Sequence, residues 1–283
     1  MEKIRVAFIG GSGLYKIPGL KNYKWKKISS NFGFPSSEIC IGELHSTSVA
    51  FLPRHGKYHT ISPTNINFRA NIEILKKIGV ESIFSLSAVG SLREDYAPGD
   101  FVVVDQFIDK TYLRSKTFFD SDLIVHIPMH KPICDNLRKN ILDALMQLKF
   151  KYHKTGTYIC IEGPQFSSLA ESQLYRSWGC DIIGMTNMPE AKLALEAGIS
   201  YASVGMVTDF DCWHPNHDNV TVEQIVATLN ENSEKAFKLI NLIIKKGKIK
   251  TNPKVQNLSK SSIITDTKNV KKETLKKLKH ILY

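Results

Sequence analysis

Ile199-Ser200-Tyr201-Ala202-Ser203-Val204-Gly205-Met206-Val207, followed at once by Thr208-Asp209-Phe210-Asp211-Cys212-Trp213, decides how the chain is read. The first nine residues form an apolar run of the length and β-branched character of a buried strand. In an α/β protein, ligands collect at the carboxyl ends of the strands. Two carboxylates stand there, two residues apart, a spacing that places Asp209 and Asp211 on one side of an extended segment. Such a pair suits a ligand edge with one donor and one proton acceptor, such as the 6-amino group and N7 of adenine. The same acids could equally cap the loop Trp213-His214-Pro215-Asn216.

Working outward, strand and helix patterns alternate. Strands are expected at Arg5–Ile9, Ser37–Ile41, Ser48–Leu52, Val80–Ala88, Phe101–Val104, Gly156–Ile161 and Asp181–Ile183. Helices are expected at Thr64–Ile78, Cys134–Leu148, Ala170–Trp178, Pro189–Glu196 and Val222–Lys245. This order predicts a single α/β domain over residues 1–246, with a distorted, mixed, largely parallel sheet flanked by helices. Residues 109–130 read as a long irregular loop, and loops of that length inside a domain are usually functional or disordered.

The chain has 283 residues and a net charge of +11. Twelve lysines against two acids between Lys245 and Tyr283 account for +10 of it, so the body is nearly neutral. Nucleic-acid binding by the body loses its compositional support. Residues 247–283 read as a Lys-rich tail: a linker over 247–267, then a basic amphipathic helix over 270–282 with Val270, Leu275, Leu278 and Leu282 on one side. A loosely ordered tail and docking on a neighbouring subunit are the two readings of it. No apolar run reaches the ~20 residues that span a bilayer. Five scattered cysteines without a C-x-x-C pair fit reduced thiols in a cytoplasmic protein.

Four further constellations follow strands. Gly10-Gly11-Ser12-Gly13 lacks the spacing of the dinucleotide and Walker fingerprints, and remains an anion loop or a tight turn. In Pro53-Arg54-His55-Gly56-Lys57-Tyr58-His59, Arg54 offers a fork matching phosphate oxygens. The two histidines stand at i, i+4, but the flanking Pro and Gly oppose the helix a zinc pair would use, so no metal is expected. Ser87, in Ser85–Ser91, ends a strand with a hydroxyl. Glu162-Gly163-Pro164-Gln165-Phe166-Ser167 places an aromatic after a turn, either to stack on a base or to fill core.

Taken in order, these stretches, with Asn67-Phe68-Arg69-Ala70-Asn71, Gly90-Ser91-Leu92-Arg93, Asp105-Gln106-Phe107-Ile108-Asp109, His126-Ile127-Pro128-Met129 and Met185-Thr186, resemble the S-methyl-5′-thioadenosine phosphorylase family of the trimeric purine nucleoside phosphorylase group. The resemblance covers about residues 4–245 and leaves the tail outside it. It implies a pentosyltransferase of purine and methionine salvage, acting on its nucleoside with phosphate as co-substrate and no other cofactor. It further implies that Ser12, Arg54, His55, Ser87, Ala88 and Thr186 bind phosphate. Phe166 and Ser167 would line the base, Met185 the ribose, and Val222 and Val226 an apolar 5′ group. Asp209 and Asp211, with Thr208 alongside, would read the purine, and Asp209 would protonate N7. His126 would come from a neighbouring subunit of a homotrimer. Gly184 departs from the Asn expected before Met-Thr, and Ser12 and Ser87 stand where Thr is frequent. A phosphorylase of 6-oxopurines is the near alternative, and a nucleic-acid-binding protein using the tail the distant one.

Overall fold

The sheet divides along strand β5 (Ser82–Ser91). The computed structural model describes residues 3–11, 17–215 and 222–283, giving only the helical backbone for 222–227, 229 and 230. On one edge of β5, Ser82–Ser85 pair in parallel with β1 (Val6–Gly10), while Gly90 and Ser91 pair antiparallel with β10 (Ile182–Gly184). On the other edge, β11 (Ser200–Asp209) runs parallel to it almost throughout. Among the described residues, Leu86–Val89 therefore have a strand on one edge and none on the other. A pocket opens in that gap.

Beyond β1 the sheet continues through β4 (Thr47–Pro53), β3 (Ile39–Leu44) and β2 (Lys21–Lys26), turning antiparallel after β4. Beyond β10 it continues in parallel through β9 (Thr157–Ile161) and β7 (Gln106–Lys110). β6 (Phe101–Val103) lies antiparallel to β11 and carries the short β8 (Tyr152–His153). The sheet is mixed, with a parallel centre. β1 and most of β11 are buried along their length rather than alternating, as expected where helices cover both faces. Phe8 stacks against Phe51 at 5.1 Å and Phe84 at 5.5 Å, joining three neighbouring strands in one apolar layer.

Helix α1 (Phe68–Lys77) begins where the Asn67 side chain accepts from Ala70 N–H, four residues later than the periodicity predicts. α2 is Asp135–Leu148, and α3 (Leu169–Ser177) opens with a Ser168–Glu171 capping box. α4 (Asn187–Glu196) and the pair formed by α2 and α5 (Val222–Lys246) rest against β11. Among the described residues, no helix is long and apolar enough to cross a membrane.

The region after α5 corrects the reading of a linker and a loose tail. Asn252 N donates to Ser200 Oγ at 2.9 Å, beside helix α6 (Pro253–Gln256). Ser259, in α7 (Leu258–Ser261), donates to the Glu196 carbonyl at 2.6 Å. Ile263 bridges Val125, and Ile264 N donates to the Ile124 carbonyl. Helix α8 (Lys272–Leu282) packs on α1 with Leu278, Ile281 and Leu282 buried, so its lysines form the outer skin of an ordered element. The tail is part of the body. Leu278→Ala is expected to lower unfolding free energy by about 2–5 kcal/mol, the range for emptying a packed leucine site. Urea denaturation checks this, and a change confined to a few tenths of a kcal/mol would mean that α8 rests loosely.

Candidate active site

The carboxyl end of β11 contains one irregularity. Val207 pairs with Val89 and Asp209 with Gly90, leaving Thr208 as an extra residue. Such a bulge re-aims the side chain that follows it. Met206, Thr208 and Asp209 consequently all line the pocket, which strict alternation would forbid for two neighbours. Asp211 reaches the pocket differently. It lies past the strand in a turn with φ of +53°, so the two acids do not share one side of an extended segment. The turn ties them together, because Asp211 N–H donates to Asp209 Oδ1 at 2.8 Å.

Burial raises the pKa of both acids, against the hydrogen bonds that favour ionised Asp209. Thr208 Oγ1 lies 2.6 Å from Asp209 Oδ2 and 3.2 Å from the Val89 carbonyl. A hydroxyl has one proton for these two acceptors. The trio is fully paired when Asp209 carries a proton on Oδ2, donating to Thr208, which donates in turn to Val89.

At another part of the same pocket lie Arg54, His55, Ser87, Ala88 and Thr186. The fork of Arg54 is already engaged. Nε and Nη2 grip the buried Glu190 carboxylate at 2.8 and 2.9 Å, and Nη2 also donates to Ser85 at 2.6 Å. Nη1 remains beside the Leu86 carbonyl at 3.3 Å. Sequence reading aimed that fork at phosphate; here it reads Glu190. The His55 ring is held down at about 4, chiefly by burial, and is neutral. Its Nδ1 lies 2.9 Å from the Ile61 carbonyl, which can only accept, so the proton sits there and Nε2 is an acceptor. Ser87 donates to Asn187 Oδ1 at 3.2 Å. The buried Thr186 Oγ1 has no hydrogen-bond partner among the described residues, and neither does Ser167 Oγ. Buried hydroxyls without partners cost stability, and here both border a cavity of about 250 Å³.

The remaining walls are Ile161, Phe166, Ser167, Ile183, Gly184 and Met185. Phe166 is 55 % exposed at the rim rather than part of the core, the placement a stacking surface needs.

A family model described as the phosphorylase superfamily matches residues 5–245. The chain belongs to that superfamily. An S-methyl-5′-thioadenosine phosphorylase of Rhodospirillum rubrum is 53 % identical over 232 residues, 82 % of this chain and 79 % of the relative. One of Koribacter versatilis is 46 % identical over 98 % of this chain and 95 % of its own. That span reaches into the tail, which sequence reading had left outside the resemblance. Among solved structures, a methylthioadenosine phosphorylase from an antarctic soil metagenomic library superposes with a TM-score of 0.94 at 41 % identity, covering all of both chains. The Schistosoma mansoni methylthioadenosine phosphorylase in complex with adenine superposes at 0.84 and 33 % identity, over 92 % of this chain and 99 % of that one.

In this superfamily member, eleven of the residues singled out in the sequence line one pocket: Arg54, His55, Ser87, Ala88, Phe166, Ser167, Met185, Thr186, Thr208, Asp209 and Asp211. Ser12 lies outside the described residues, as do the side chains of Val222 and Val226. His126 is exposed and does not line its own chain's pocket; its N–H donates to the Ser262 carbonyl. Sequence reading missed His59, Pro63 and Met206 as pocket residues. His59, four residues beyond His55, was set aside with the zinc reading, yet it stacks on His55 at 4.2 Å.

Gly184 also finds its reason. A Cβ at this position would stand 2.1 Å from the Tyr158 hydroxyl oxygen and 2.7 Å from its ring carbon, so the buried tyrosine fills the space an Asn side chain would need. Gly184→Ala is expected to destabilise the chain by about 1–3 kcal/mol, the usual effect of overpacking. It should also raise the nucleoside KM, because Met185 comes next in the wall. Denaturation and steady-state kinetics together check it; wild-type values in both would mean that Tyr158 yields without consequence.

Proposed function

We propose that the chain catalyses phosphorolysis of S-methyl-5′-thioadenosine, giving adenine and 5-methylthioribose 1-phosphate, with inorganic phosphate as co-substrate. The observation that carries this reading is Asp209. A bulge aims its buried carboxyl into the pocket, and burial raises its pKa. The names and bound adenine of the relatives support the same substrate class.

The chemistry follows from the arrangement. Cleaving the C1′–N9 bond builds positive charge on the ribose and negative charge on the departing purine. Phosphate beside C1′ stabilises the first and then bonds to it. A proton delivered to N7 neutralises the second, and Asp209 supplies it when its Oδ2–H turns from Thr208 to the purine, Thr208 then donating its own proton to the carboxylate left behind. Asp211 accepts from the 6-amino group. Ser87, Ala88, Thr186, His55 and Nη1 of Arg54 face the phosphate, with Ser12 joining them. The neutral His55 Nε2 accepts from a protonated phosphate oxygen. Phe166 covers the base, Met185 the ribose, and Val222 and Val226 the methylthio group.

In this reading three copies assemble, and His126 of a neighbouring copy closes the 5′ end. The exposed apolar side chains Tyr112, Leu113, Phe166 and Leu169 suit such a contact. Five free cysteines, four of them buried, suit a cytoplasmic location.

Free adenine should appear from S-methyl-5′-thioadenosine only when phosphate is present. Release without phosphate would make the chain a hydrolase and remove the phosphate site; cleavage of inosine-type nucleosides instead would overturn the role of the acid pair. Asp209→Asn should lower kcat by about 10²–10⁴, the usual contribution of a positioned acid, while the phosphate KM changes little. An acid must hold its proton, so wild-type kcat should fall as pH rises through the elevated Asp209 pKa. Asp209→Asn should lose that limb. The same raised pKa makes native Asp209 bind its proton longer than the unfolded chain does, so its contribution to stability declines over that pH window. An unchanged pH–kcat profile in Asp209→Asn would assign the acid elsewhere.

A further inference from the structure

Behind the nucleoside end of the pocket, outside its lining, lies a second buried ion pair. Arg114 projects from the irregular segment after β7, and its side chain is 1 % exposed. Each of its five N–H groups has an acceptor. Nε donates to Glu162 Oε1 at 2.9 Å. Nη1 donates to the Met185 carbonyl at 2.7 Å and the Met188 carbonyl at 2.6 Å. Nη2 donates to the Glu162 carbonyl at 2.6 Å and the Ile161 carbonyl at 3.3 Å. Glu162 completes the pair by accepting from Tyr112 N at 2.6 Å and Leu113 N at 3.1 Å through Oε2. Burial opposes its ionisation, but these N–H groups and the guanidinium hold it down at about 2.

The acceptors belong to two walls of the pocket. Ile161 lines it, and Glu162 leads through Gly163 and Pro164 to Phe166 and Ser167. Met185 lines it on the other wall, next to Thr186. No strand ladder joins these walls beyond Cys160–Gly184, where the β9–β10 pairing stops. Arg114 takes over at that point.

We propose that Arg114 is a positioning residue for the nucleoside, its guanidinium setting the separation between the Ile161–Ser167 wall and Met185. The inference rests on the phosphorolysis reading for its substrate, and on geometry for everything else. Lysine has three donors on a point charge and cannot span five acceptors in a plane, so the requirement is for arginine rather than for positive charge. Arg54, Ser87 and Glu190, at the phosphate end, make no bond with this pair among the bonds described, and Thr186 alone of the phosphate residues adjoins a carbonyl that Arg114 holds.

The test compares Arg114→Lys with wild type, varying nucleoside and phosphate separately. Misplaced walls should raise the nucleoside KM on the order of 10- to 100-fold, with a much smaller rise in the phosphate KM, through Thr186 alone. An unchanged nucleoside KM, or both KM values rising in step with a loss of thermal stability, would overturn the assignment. Arg114→Met with Glu162→Met removes both charges, which often restores stability lost when one partner is left alone. Restored stability with a still-raised nucleoside KM supports positioning, and a KM returning to wild type overturns it. Calorimetric titration with adenine reads the same property without turnover. A wild-type chain that binds adenine but releases none from S-methyl-5′-thioadenosine would sink the proposed reaction, whereas equal adenine affinity in wild type and Arg114→Lys would sink the role of Arg114 alone.

Discussion

A strand has two edges, and one edge cannot serve two partners at the same residues. β5 gives its first four residues to β1 and its last two to β10, so Leu86–Val89 are left with an open edge. In a buried sheet an open edge is costly, because its backbone polar groups want partners. The fold meets part of that cost with Arg54, whose Nη1 reaches the Leu86 carbonyl. What remains is a pocket floored by backbone at the centre of the sheet. Its location follows from strand pairing, and its side chains come from whichever elements meet there.

Charge inside this pocket is handled sparingly. The one guanidinium that borders it is neutralised by Glu190, which also accepts from Ser85 and Tyr201. His55 is neutral. An anion entering here meets hydroxyls, backbone and a compensated cation rather than a bare positive field. That suits an anion that must leave covalently bonded to the sugar, since a strong ion pair would hold it equally well before and after reaction. The acid end follows the opposite logic. Burial withdraws the carboxyl of Asp209 from solvent, and this desolvation raises its pKa against two favourable hydrogen bonds. Burial thus disfavours the charged form of both His55 and Asp209.

Much of this was legible in the sequence, and the failures have physical causes. Buried strands such as Val6–Gly10 and Ser200–Asp209 advertise themselves as apolar runs. Lys21–Lys26 does not, because it is an edge strand whose lysines face solvent, as edge strands that avoid pairing with other chains commonly do. In the tail the apolar face with Val270, Leu278 and Leu282 was legible, but its docking on α1 was not, because that contact joins segments remote in sequence. Eleven residues that the family resemblance singled out line one pocket, although Ser87 and Ala88 lie in the middle of β5 rather than at a strand end as expected, because the strand runs on to Ser91. Their states were not legible. Nothing near Arg54 reveals that Glu190, 136 positions away, holds its fork. A bulge is a property of two paired strands, so the aim of Asp209 cannot be read from one of them.

The segment from Thr111 to Val125 shows how the parts are coupled. At one end Arg114 joins the two nucleoside walls. In the middle, Thr117 Oγ1 and Phe118 N–H donate to the Glu196 carboxylate at 2.7 and 2.8 Å, which anchors the segment to the end of α4. At the far end Ile124 and Val125 pair with Ile263–Thr265, and Thr274 donates to Asp122, so the segment is also fastened to the Lys-rich tail. Burial lifts Glu196 to about 7, against the two hydrogen bonds it accepts, so the middle anchor gains or loses a proton near neutrality. The tail therefore has a structural consequence that its composition conceals. By holding Ile124 and Val125, it fixes the position of His126 at the surface. An irregular segment can be precise when three attachments hold it, even though no helix or strand runs through it.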